Sequence, residues 1–263
     1  MATSGVTDVT QSRVTIVTGA ASGIGRAVVG RLVDRGEKVV AVDRAGEALD
    51  SVGQPGVVEV VAGDVTDVST NDEAVVRAVS VFGGLDAVVL NAGMPASGDI
   101  VNLPIEVFDR TLEVNVRAVL LGIRATVPAL RRRGGGRIVI TASTSGIGAD
   151  PHMWPYNTAK AAAINLGRAA AVDLGADRIT VNIVCPGPTE TGMTRGLAAM
   201  PSAYEGLRRS IPLQRWGQAD EIAAVIVFLA SAEASFVTGA VVPVDGGVTA
   251  NTGQFTPRPV PDV

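Results

Sequence analysis

Short apolar runs rich in valine and isoleucine alternate along the chain with longer segments in which apolar residues recur at helical spacing. Most of the short runs lack polar alternation, which is typical of parallel strands buried on both faces. They predict strands at Arg13 to Thr18, Lys38 to Asp43, Val57 to Ala62, Ala87 to Asn91, Arg137 to Ala142, Thr180 to Cys185 and Ala240 to Val244. The longer segments predict helices at Ile24 to Arg35, Val68 to Phe82, Pro104 to Leu130, Pro155 to Leu174 and Ala219 to Leu229.

Strands and helices in alternation predict an α/β fold with right-handed crossovers. The expected architecture is a doubly wound (Rossmann), mostly parallel seven-stranded sheet with helices on both faces. No internal repeat or linker divides the chain, so residues 13–248 are predicted to form a single domain. Residues 1–12 are polar and predict an N-terminal tail, and the proline-containing residues 249–263 predict an extended C-terminal tail.

Composition and charge argue against several functional classes. The chain has 263 residues and a net charge of −4, which argues against nucleic acid as a main partner. The longest apolar run, Ile222 to Ala230, is far too short to cross a membrane, and the first residues show no secretory signal, so we expect a cytoplasmic protein. One histidine and one cysteine cannot build a zinc site, and we expect no metal.

The first predicted strand runs directly into a glycine-rich loop, TGAASGIG, at residues 18–25. Its glycines allow a tight turn and bring bare backbone amides, at the positive end of a helix, close to a pyrophosphate. The spacing is G-x-x-x-G-x-G and differs from the G-x-G-x-x-G dinucleotide-binding pattern. A purely structural strand-to-helix turn therefore stays open as an interpretation of this loop.

Asp43 ends the second predicted strand, 18 residues beyond Gly25. An acidic residue at about that distance can accept hydrogen bonds from the adenosine ribose hydroxyls and would repel a 2′-phosphate. Loop and acid together favour NAD over NADP, although aspartate at a strand end is also a common turn residue. Arg44 complicates this prediction, because a cation there could serve a 2′-phosphate or lie over the adenine.

The segment PYNTAK, residues 155–160, places Tyr156 and Lys160 four positions apart in a chain with two residues of each type. Positions i and i+4 share one face of a helix, so the lysine ammonium can stabilise the phenolate and lower the tyrosine pKa. Such a tyrosine can take or give the hydroxyl proton when hydride passes between an alcohol and nicotinamide. The spacing alone also fits a packed tyrosine beside a solvated lysine.

These motifs occur with NAG (residues 91–93), EVNVRAV, ITASTSG and NIVCPGPTET in an order and spacing that resembles the single-domain short-chain dehydrogenase/reductase family. The resemblance covers residues of about 13 to 248 and implies a catalytic tetrad. Tyr156 is implied to be the general acid/base, and Lys160 to lower its pKa and hold the nicotinamide ribose. Ser143 is implied to hydrogen-bond the substrate oxygen, and Asn115 to anchor a water of a proton relay.

The same resemblance implies how a nicotinamide cofactor is held. Asp64 is implied to contact the adenine with Val65 beside it, and Asn91 to lie against the adenine ribose. In the PGPTET loop, Thr191 is implied to grip the carboxamide. The full implied cofactor set is Gly19, Ser22, Gly23, Ile24, Gly25, Asp43, Arg44, Asp64, Val65, Asn91, Ala92, Gly93, Tyr156, Lys160, Pro186, Gly187, Thr189 and Thr191.

Substrate contacts are predicted from the loop before Tyr156 and from the stretch Met193 to Gln214, which resembles the family's mobile lid. The apolar residues of this stretch favour a hydrophobic or cyclic alcohol or ketone. Arg208 and Arg209 keep an anionic substrate possible. Trp154 could equally be a packing residue, and His152 is interpreted as a pocket wall and not as a second base. The candidate residues are Met94, Ser145, His152, Trp154, Met193, Leu197 and Tyr204.

The leading hypothesis is an NAD(H)-dependent alcohol dehydrogenase or carbonyl reductase with a small-molecule substrate. An NADPH-dependent 3-oxoacyl-[acyl-carrier-protein] reductase is an alternative, against which the MPASGDI segment after NAG argues. Epimerases and dehydratases of this type are usually longer, and a non-catalytic nicotinamide-binding protein would be expected to lack Tyr156 or Lys160. The resemblance also implies a homotetramer with the long helices after Pro104 and Pro155 buried between subunits.

Overall fold

The computed structural model describes residues 12–44, 46–254 and 257. Residues 1–11 of the predicted N-terminal tail lie outside the described residues, as do residues 255, 256 and 258–263 of the predicted C-terminal tail. Strands within the described part are β1 (Val14–Thr18), β2 (Lys38–Asp43), β3 (Val58–Ala62), β4 (Ala87–Leu90), β5 (Gly136–Thr141), β6 (Ile179–Pro186), β7 (Thr189–Glu190), β8 (Gly217–Gln218) and β9 (Val241–Val244).

Seven of these strands form one parallel sheet in the order β3-β2-β1-β4-β5-β6-β9. Ile16 in β1 is in register with Val40 in β2 on one side and with Val88 in β4 on the other. The strand order therefore reverses between β1 and β4, and a crevice at the carboxyl ends of strands at such a point is where α/β sheets bind ligands. The predicted doubly wound fold is confirmed.

Helices cover both faces of this sheet. They are α1 (Gly23–Asp34), α2 (Glu47–Asp50), α3 (Val68–Phe82), α4 (Ile105–Leu112), α5 (Ala118–Arg132), α6 (Trp154–Leu174), α7 (Arg195–Ala198), α8 (Pro201–Ser210) and α9 (Ala219–Ala230). On one face, apolar residues of α1 and α9 such as Leu32 and Ile226 pack against the sheet. On the other face, α3, α5 and α6 contribute Ala74, Ile123 and Ala163 to a second core.

The predicted continuous helix from Pro104 to Leu130 is wrong in one respect. A π-helical turn at Glu113–Arg117 separates α4 from α5. The side-chain amide of Asn115 donates to the carbonyl oxygen of Thr111 (3.0 Å), the acceptor four residues back that an α-helix would give to the Asn115 backbone amide. This side-chain bond accompanies the wider turn and places a polar residue in the interior of the protein.

Other differences concern short elements. The two-residue strands β7 and β8 pair in a separate parallel sheet, and two residues are too few to show any periodicity. The stretch Met193 to Gln214 contains α7 and α8. At the predicted start of the C-terminal tail, the backbone amide and hydroxyl of Thr249 donate to the Asp245 carboxylate. None of the helices in the described part of the chain has the length and hydropathy needed to span a membrane.

Candidate active site

The four residues of the implied tetrad come from separate elements: Asn115 from the π-helical turn, Ser143 from the loop after β5, and Tyr156 and Lys160 from successive turns of α6. Lys160 is 4% exposed, and its Nζ donates to the carbonyl oxygen of Thr141 at the end of β5 (2.9 Å). The same Nζ lies 5.5 Å from the centroid of the Tyr156 ring. The lysine is therefore a buried neighbour of the tyrosine and not a solvated surface residue.

A chain of hydroxyl groups leads from Tyr156 to a carboxylate. The Ser143 hydroxyl lies within hydrogen-bonding reach of the Tyr156 hydroxyl. Ser143 Oγ donates to Ser145 Oγ (3.1 Å), and Ser145 Oγ in turn donates to Asp150 Oδ2 (2.5 Å). The backbone amide of Ser145 also donates to Ser143 Oγ (3.2 Å), which fixes the position of that oxygen.

Burial controls the ionisation of the pair on α6. It raises the pKa of Tyr156, a shift that Ser143 partly offsets and that the negative charge of Asp150 increases. Burial lowers the pKa of Lys160 to about 8, with a small opposing effect from Cys185. The net shift of the tyrosine pKa is upward, because desolvation of the phenolate and the negative charge of Asp150 outweigh the hydrogen bond from Ser143. The lowering of this pKa by Lys160 remains a prediction.

Asn115 is buried, and both ends of its side-chain amide bond to the backbone of Met94. Its Nδ2 donates to the Met94 carbonyl (3.0 Å), and its Oδ1 accepts from the Met94 amide (3.3 Å). A Cβ atom added to Gly93 would lie 2.8 Å from Asn115 Oδ1 and 3.3 Å from Lys160 Nζ. Gly93 therefore lies close to both the asparagine and the lysine, and a larger residue there would displace one of them.

The glycine loop fits a pyrophosphate group. Gly19 has a φ of 66°, and a Cβ atom on Gly25 would overlap the carbonyl oxygen of Gly19. Ser22 caps α1 without a side-chain hydrogen bond, so it leaves the first helical amides to another acceptor. Amides at a helix N-terminus favour a phosphate, and these residues could hold the diphosphate of a nicotinamide dinucleotide.

Asn91 and Ala92 fasten the glycine loop to the end of β4. The backbone amides of both residues donate to Thr18 Oγ1 (3.0 and 3.1 Å). The Asn91 side chain donates to the carbonyl oxygens of Thr18 (3.1 Å) and Gly19 (3.4 Å). The asparagine thus holds the shape of the loop, and its expected contact with the adenine ribose remains a prediction.

The two acidic candidates on the adenine side both have protein partners. Asp43 accepts hydrogen bonds from the amides of Ala21 (2.9 Å) and Arg44 (2.7 Å). Asp64 accepts from the amide and hydroxyl of Thr66 (2.9 and 2.8 Å) and from Arg110 Nη2 (2.8 Å), and these bonds lower its pKa. The Asp64 carboxylate is therefore charged at neutral pH. Val65 packs against the core beside Asp64, and the Arg44 side chain is exposed.

The segment after β6 lies next to the glycine loop. A Cβ atom on Gly23 would lie 3.3 Å from Thr191 Cβ. Thr189 is buried with its hydroxyl bonded to the carbonyl of Gly187 (2.8 Å), and Pro186 ends β6. The implied nicotinamide-side residues and the implied pyrophosphate loop therefore meet at the same end of the sheet.

Comparison with known proteins identifies the family to which this chain belongs. The family whose sequence model matches is described as Enoyl-(Acyl carrier protein) reductase, and the match spans residues 19–249. The chain belongs to the short-chain dehydrogenase/reductase family. It is an oxidoreductase of a family that uses a nicotinamide cofactor.

Two relatives and one solved structure show the extent of the likeness. A 2-(R)-hydroxypropyl-CoM dehydrogenase of Xanthobacter autotrophicus is 36% identical over 91% of this chain and 99% of that protein. A meso-2,3-butanediol dehydrogenase of Serratia marcescens is 36% identical over 92% of this chain and 97% of that protein. The crystal structure of levodione reductase matches with a TM-score of 0.86 at 32% identity, covering 90% of this chain and 98% of that one.

The candidate substrate residues of this short-chain dehydrogenase/reductase fall into two groups. Near the tetrad, Met94 and Trp154 are partly buried, and the Trp154 ring stacks on Phe108 with centroids 5.4 Å apart. His152 is exposed with a φ of 61°, and its carbonyl oxygen accepts from the Gly98 amide (2.7 Å). This bond ties the loop before α6 to the segment after NAG, so the two form one wall.

The predicted lid residues differ in their exposure and in their partners. Met193 and Leu197 are exposed, at 51% and 41%. Tyr204 stacks on Trp216 with centroids 4.9 Å apart, and its hydroxyl donates to Glu190 (3.2 Å), so it fastens the base of the lid. The role of Tyr204 as a substrate contact remains a prediction.

The two lid arginines are also engaged. Arg208 forms two hydrogen bonds with the carboxylate of Glu205 (2.6 and 2.7 Å), and Arg209 forms one (2.9 Å). Arg208 additionally donates to the Gln214 carbonyl (3.1 Å). In the sequence, these two arginines keep an anionic substrate possible. In the structure, both are paired with a carboxylate of the protein itself.

Sequence reasoning missed three groups that shape the site: the Thr141 carbonyl, the Asp150 carboxylate and the Asn157 side chain. The Thr141 carbonyl is a backbone group and leaves no trace in residue identity. Asn157 donates from Nδ2 to the carbonyl oxygen of Asp150 (2.9 Å). Asp150 could have been found from the sequence, because it is a charged residue in the loop already predicted to line the substrate pocket.

Proposed function

We propose that this protein is an NAD(H)-dependent oxidoreductase that interconverts a secondary alcohol and its ketone by hydride transfer, with Tyr156 as general acid/base. The observation that carries the proposal is the position of Lys160, buried one turn after Tyr156 and held by the Thr141 carbonyl. A buried ammonium group costs free energy, and its retention beside a tyrosine indicates a functional role. The names of the two dehydrogenase relatives support an alcohol or ketone substrate.

The bound nicotinamide would accept hydride from the alcohol carbon or return it to the ketone carbon. In the oxidation direction, the ionised form of Tyr156 takes the hydroxyl proton as the alcohol becomes a ketone, and in reduction the neutral form gives its proton to the ketone oxygen. Ser143 turns its hydroxyl proton from Ser145 to the substrate oxygen. The Ser145 amide still bonds to Ser143 Oγ (3.2 Å), so the oxygen keeps its place while the proton changes partner.

Lys160 serves the tyrosine and the cofactor together. With a pKa of about 8 it is mostly protonated at pH 7, so its charge stabilises the phenolate in the transition state. The bond from Nζ to the Thr141 carbonyl occupies one of its three protons, and the others are left for the nicotinamide ribose and the relay with Asn115.

Asp43 supports NAD over NADP. Its carboxylate stands at the end of β2 and is bonded to the Ala21 amide of the glycine loop, so it is held at the edge of the pyrophosphate site. A fixed negative charge there would repel a 2′-phosphate and accept hydrogen bonds from a free ribose hydroxyl. The exposed Arg44 lacks an acidic partner within ion-pair distance among the described residues, and it is the residue that could offset this preference.

One observation favours a second candidate. The matching family model is described as Enoyl-(Acyl carrier protein) reductase, and a 3-oxoacyl-[acyl-carrier-protein] reductase of Thermotoga maritima is 37% identical over 90% of this chain and 98% of that protein. An NADPH-dependent reductase of 3-oxoacyl thioesters is therefore the competing activity. The two candidates differ in cofactor and in substrate, and one experiment separates them.

That experiment is a panel of secondary and cyclic alcohols, assayed with NAD and with NADP while nicotinamide reduction is followed. We expect turnover of at least one alcohol with a higher kcat/KM for NAD. The same preparation is offered acetoacetyl thioesters with NADPH. Efficient reduction of the thioester, with no alcohol oxidised under NAD, would replace the proposal by the second candidate.

A further inference from the structure

The loop between β5 and α6 carries a carboxylate that the tetrad does not use. We propose that Asp150 forms a polar subsite beside the tetrad that accepts a hydrogen bond from a second hydroxyl group of the substrate. The preferred substrates would then be vicinal diols and the hydroxyketones derived from them. This inference rests on the proposed function and specifies its substrate class.

The first support is position. Asp150 Oδ2 accepts from Ser145 Oγ (2.5 Å), and Ser145 Oγ accepts from Ser143 Oγ (3.1 Å). Ser143 is the residue proposed to hold the reacting oxygen. Ser145 is the hydrogen-bond partner of Ser143, and the Asp150 carboxylate is the partner of Ser145, so the carboxylate lies two hydrogen bonds from Ser143.

The second support is rigidity. The carbonyl oxygen of Asp150 accepts hydrogen bonds from Asn157 Nδ2 (2.9 Å) and from the Met153 amide (3.3 Å). Asn157 follows Tyr156 directly on α6, so the helix that positions the tyrosine also positions the aspartate. These two bonds hold the backbone of Asp150, and the bond from Ser145 Oγ holds its carboxylate (2.5 Å). A group held in this way loses little entropy when it binds a ligand, which is a requirement of a specific site.

The third support is free hydrogen-bonding capacity. Asp150 Oδ1 accepts no hydrogen bond in the described part of the chain, and Asp150 has no ion-pair partner there. The side chain is exposed toward solvent, so an incoming ligand can reach it. An ionised carboxylate with an open oxygen accepts hydrogen bonds strongly and donates none, so it selects a hydroxyl donor.

Charge in the same region also favours a neutral polyol over an anion. Asp150 raises the pKa of Tyr156, so the negative charge of Asp150 acts on the reacting hydroxyl. Arg208 and Arg209 are paired with Glu205 and do not neutralise it. An anionic substrate would bring a second negative charge toward this carboxylate, which costs free energy in a partly desolvated site.

The alternative is that Asp150 only positions Ser145 and, through it, Ser143. That role would affect every substrate alike, whereas a subsite affects substrates with a second hydroxyl. The test therefore compares kcat/KM for two matched pairs, cyclohexane-1,2-diol with cyclohexanol and butane-2,3-diol with butan-2-ol, using NAD. The proteins are the wild type, Asp150→Ala, Asp150→Asn and the control Asp72→Ala, which removes an exposed carboxylate on α3.

We expect the wild type to prefer the diol by about tenfold or more, since a site built to bond a hydroxyl discriminates against the analogue that lacks it. Asp150→Ala should lower this ratio to near one, mainly by raising KM for the diol. Asp150→Asn, which keeps an oxygen acceptor without the charge, should give an intermediate ratio, and Asp72→Ala should leave it unchanged.

Two results would overturn the subsite. One is a wild type that shows no diol preference in either pair. The other is an Asp150→Ala variant in which diol and monoalcohol lose the same factor of kcat/KM, which would assign Asp150 a positioning role. Oxidation of the monoalcohols in either case leaves the proposed function standing, whereas absence of turnover for all four alcohols and the wider panel would remove both.

Discussion

The ammonium nitrogen of Lys160 lies 5.5 Å from the centroid of the Tyr156 ring and donates a hydrogen bond to the carbonyl oxygen of Thr141. The lysine is 4% exposed, so it is a charge that the fold keeps in its interior. Burial lowers its pKa to about 8, which leaves it largely protonated at neutral pH. The protein therefore maintains a desolvated positive charge one helical turn from the proposed acid/base.

That arrangement predicts a stability cost that can be measured. The folded-state pKa of Lys160 is about 8 against an ordinary 10.5, so the unfolded chain binds more protons between these pH values. Stability therefore rises as pH increases through this window, and the cost is fully present below about pH 8. We expect Lys160→Met to increase the free energy of unfolding at pH 7 by about 1–3 kcal/mol, with the gain disappearing near pH 10.

Urea unfolding at pH 7 and pH 10 measures this difference. Lys38→Met is the matched control, since Lys38 is the other lysine of the chain and bonds to the Gly56 carbonyl at the surface. It should change stability by less than about 0.5 kcal/mol at either pH. A Lys160→Met variant that is less stable than the wild type at pH 7 would show that the ammonium is not a net cost.

Gly25 gives a prediction about the glycine loop. A Cβ atom there would overlap the Gly19 carbonyl, so Gly25→Ala must displace the loop. We expect NADH affinity to fall by at least about tenfold, because loop amides about an ångström out of place no longer match a pyrophosphate. Gly30→Ala on the same helix has open space around its Cβ and should stabilise the protein by up to about 1 kcal/mol with normal binding.

Isothermal titration with NADH measures both glycine variants. Equal affinity in Gly25→Ala and the wild type would show that the loop does not hold the cofactor.

Asp43 gives a prediction about cofactor choice. Asp43→Asn keeps an oxygen that can accept from the Ala21 amide but removes the charge. We expect the ratio of kcat/KM for NAD to that for NADP to fall by about tenfold or more, because a charged hydrogen bond and a phosphate repulsion are both lost. Asp50→Ala, an exposed aspartate on α2, is the control. A wild type that prefers NADP would contradict the assignment before any variant is made.

Exposed apolar residues on the long helices bear on assembly. Leu120 on α5 is 40% exposed and Val172 on α6 is 83% exposed. If these helices are buried between subunits, as the family resemblance implies, the protein sediments as a homotetramer and Leu120→Asp shifts it to smaller species. Val76→Asp on α3, where the valine is 61% exposed, should leave the assembly intact. A wild type that sediments only as a monomer would exclude this arrangement.

The sequence predicts the sheet well because buried parallel strands are short continuous apolar runs, such as Lys38–Asp43, whose predicted and observed bounds agree. It predicts a shared face for Tyr156 and Lys160 because helix geometry alone determines which positions are neighbours. It does not predict the break at Glu113–Arg117, which accompanies one side-chain hydrogen bond from Asn115 to Thr111. Local side-chain chemistry of this kind leaves the hydrophobic pattern unchanged.

The candidate site divides in the same way. Motif spacing identifies Ser143 and Tyr156, and the fold brings them together through β5 and α6. Two further groups of the site come from the backbone carbonyl of Thr141, which accepts from Lys160, and from the carboxylate of Asp150, which raises the pKa of Tyr156. Neither group has a spacing rule in the sequence. The direction of the tyrosine pKa also depends on burial, which is a property of the folded chain alone.

The most direct test of the account is the turnover of Tyr156→Phe, measured with the best alcohol of the panel and NAD. The variant removes one hydroxyl and keeps the ring beside Lys160, so NADH binding should stay within a few-fold of the wild type. Because the acid/base group is lost, we expect kcat to fall by about a hundredfold to ten-thousandfold or more. Turnover at the wild-type rate in a variant that binds NADH normally would contradict the assignment of Tyr156 as the group that exchanges the substrate proton.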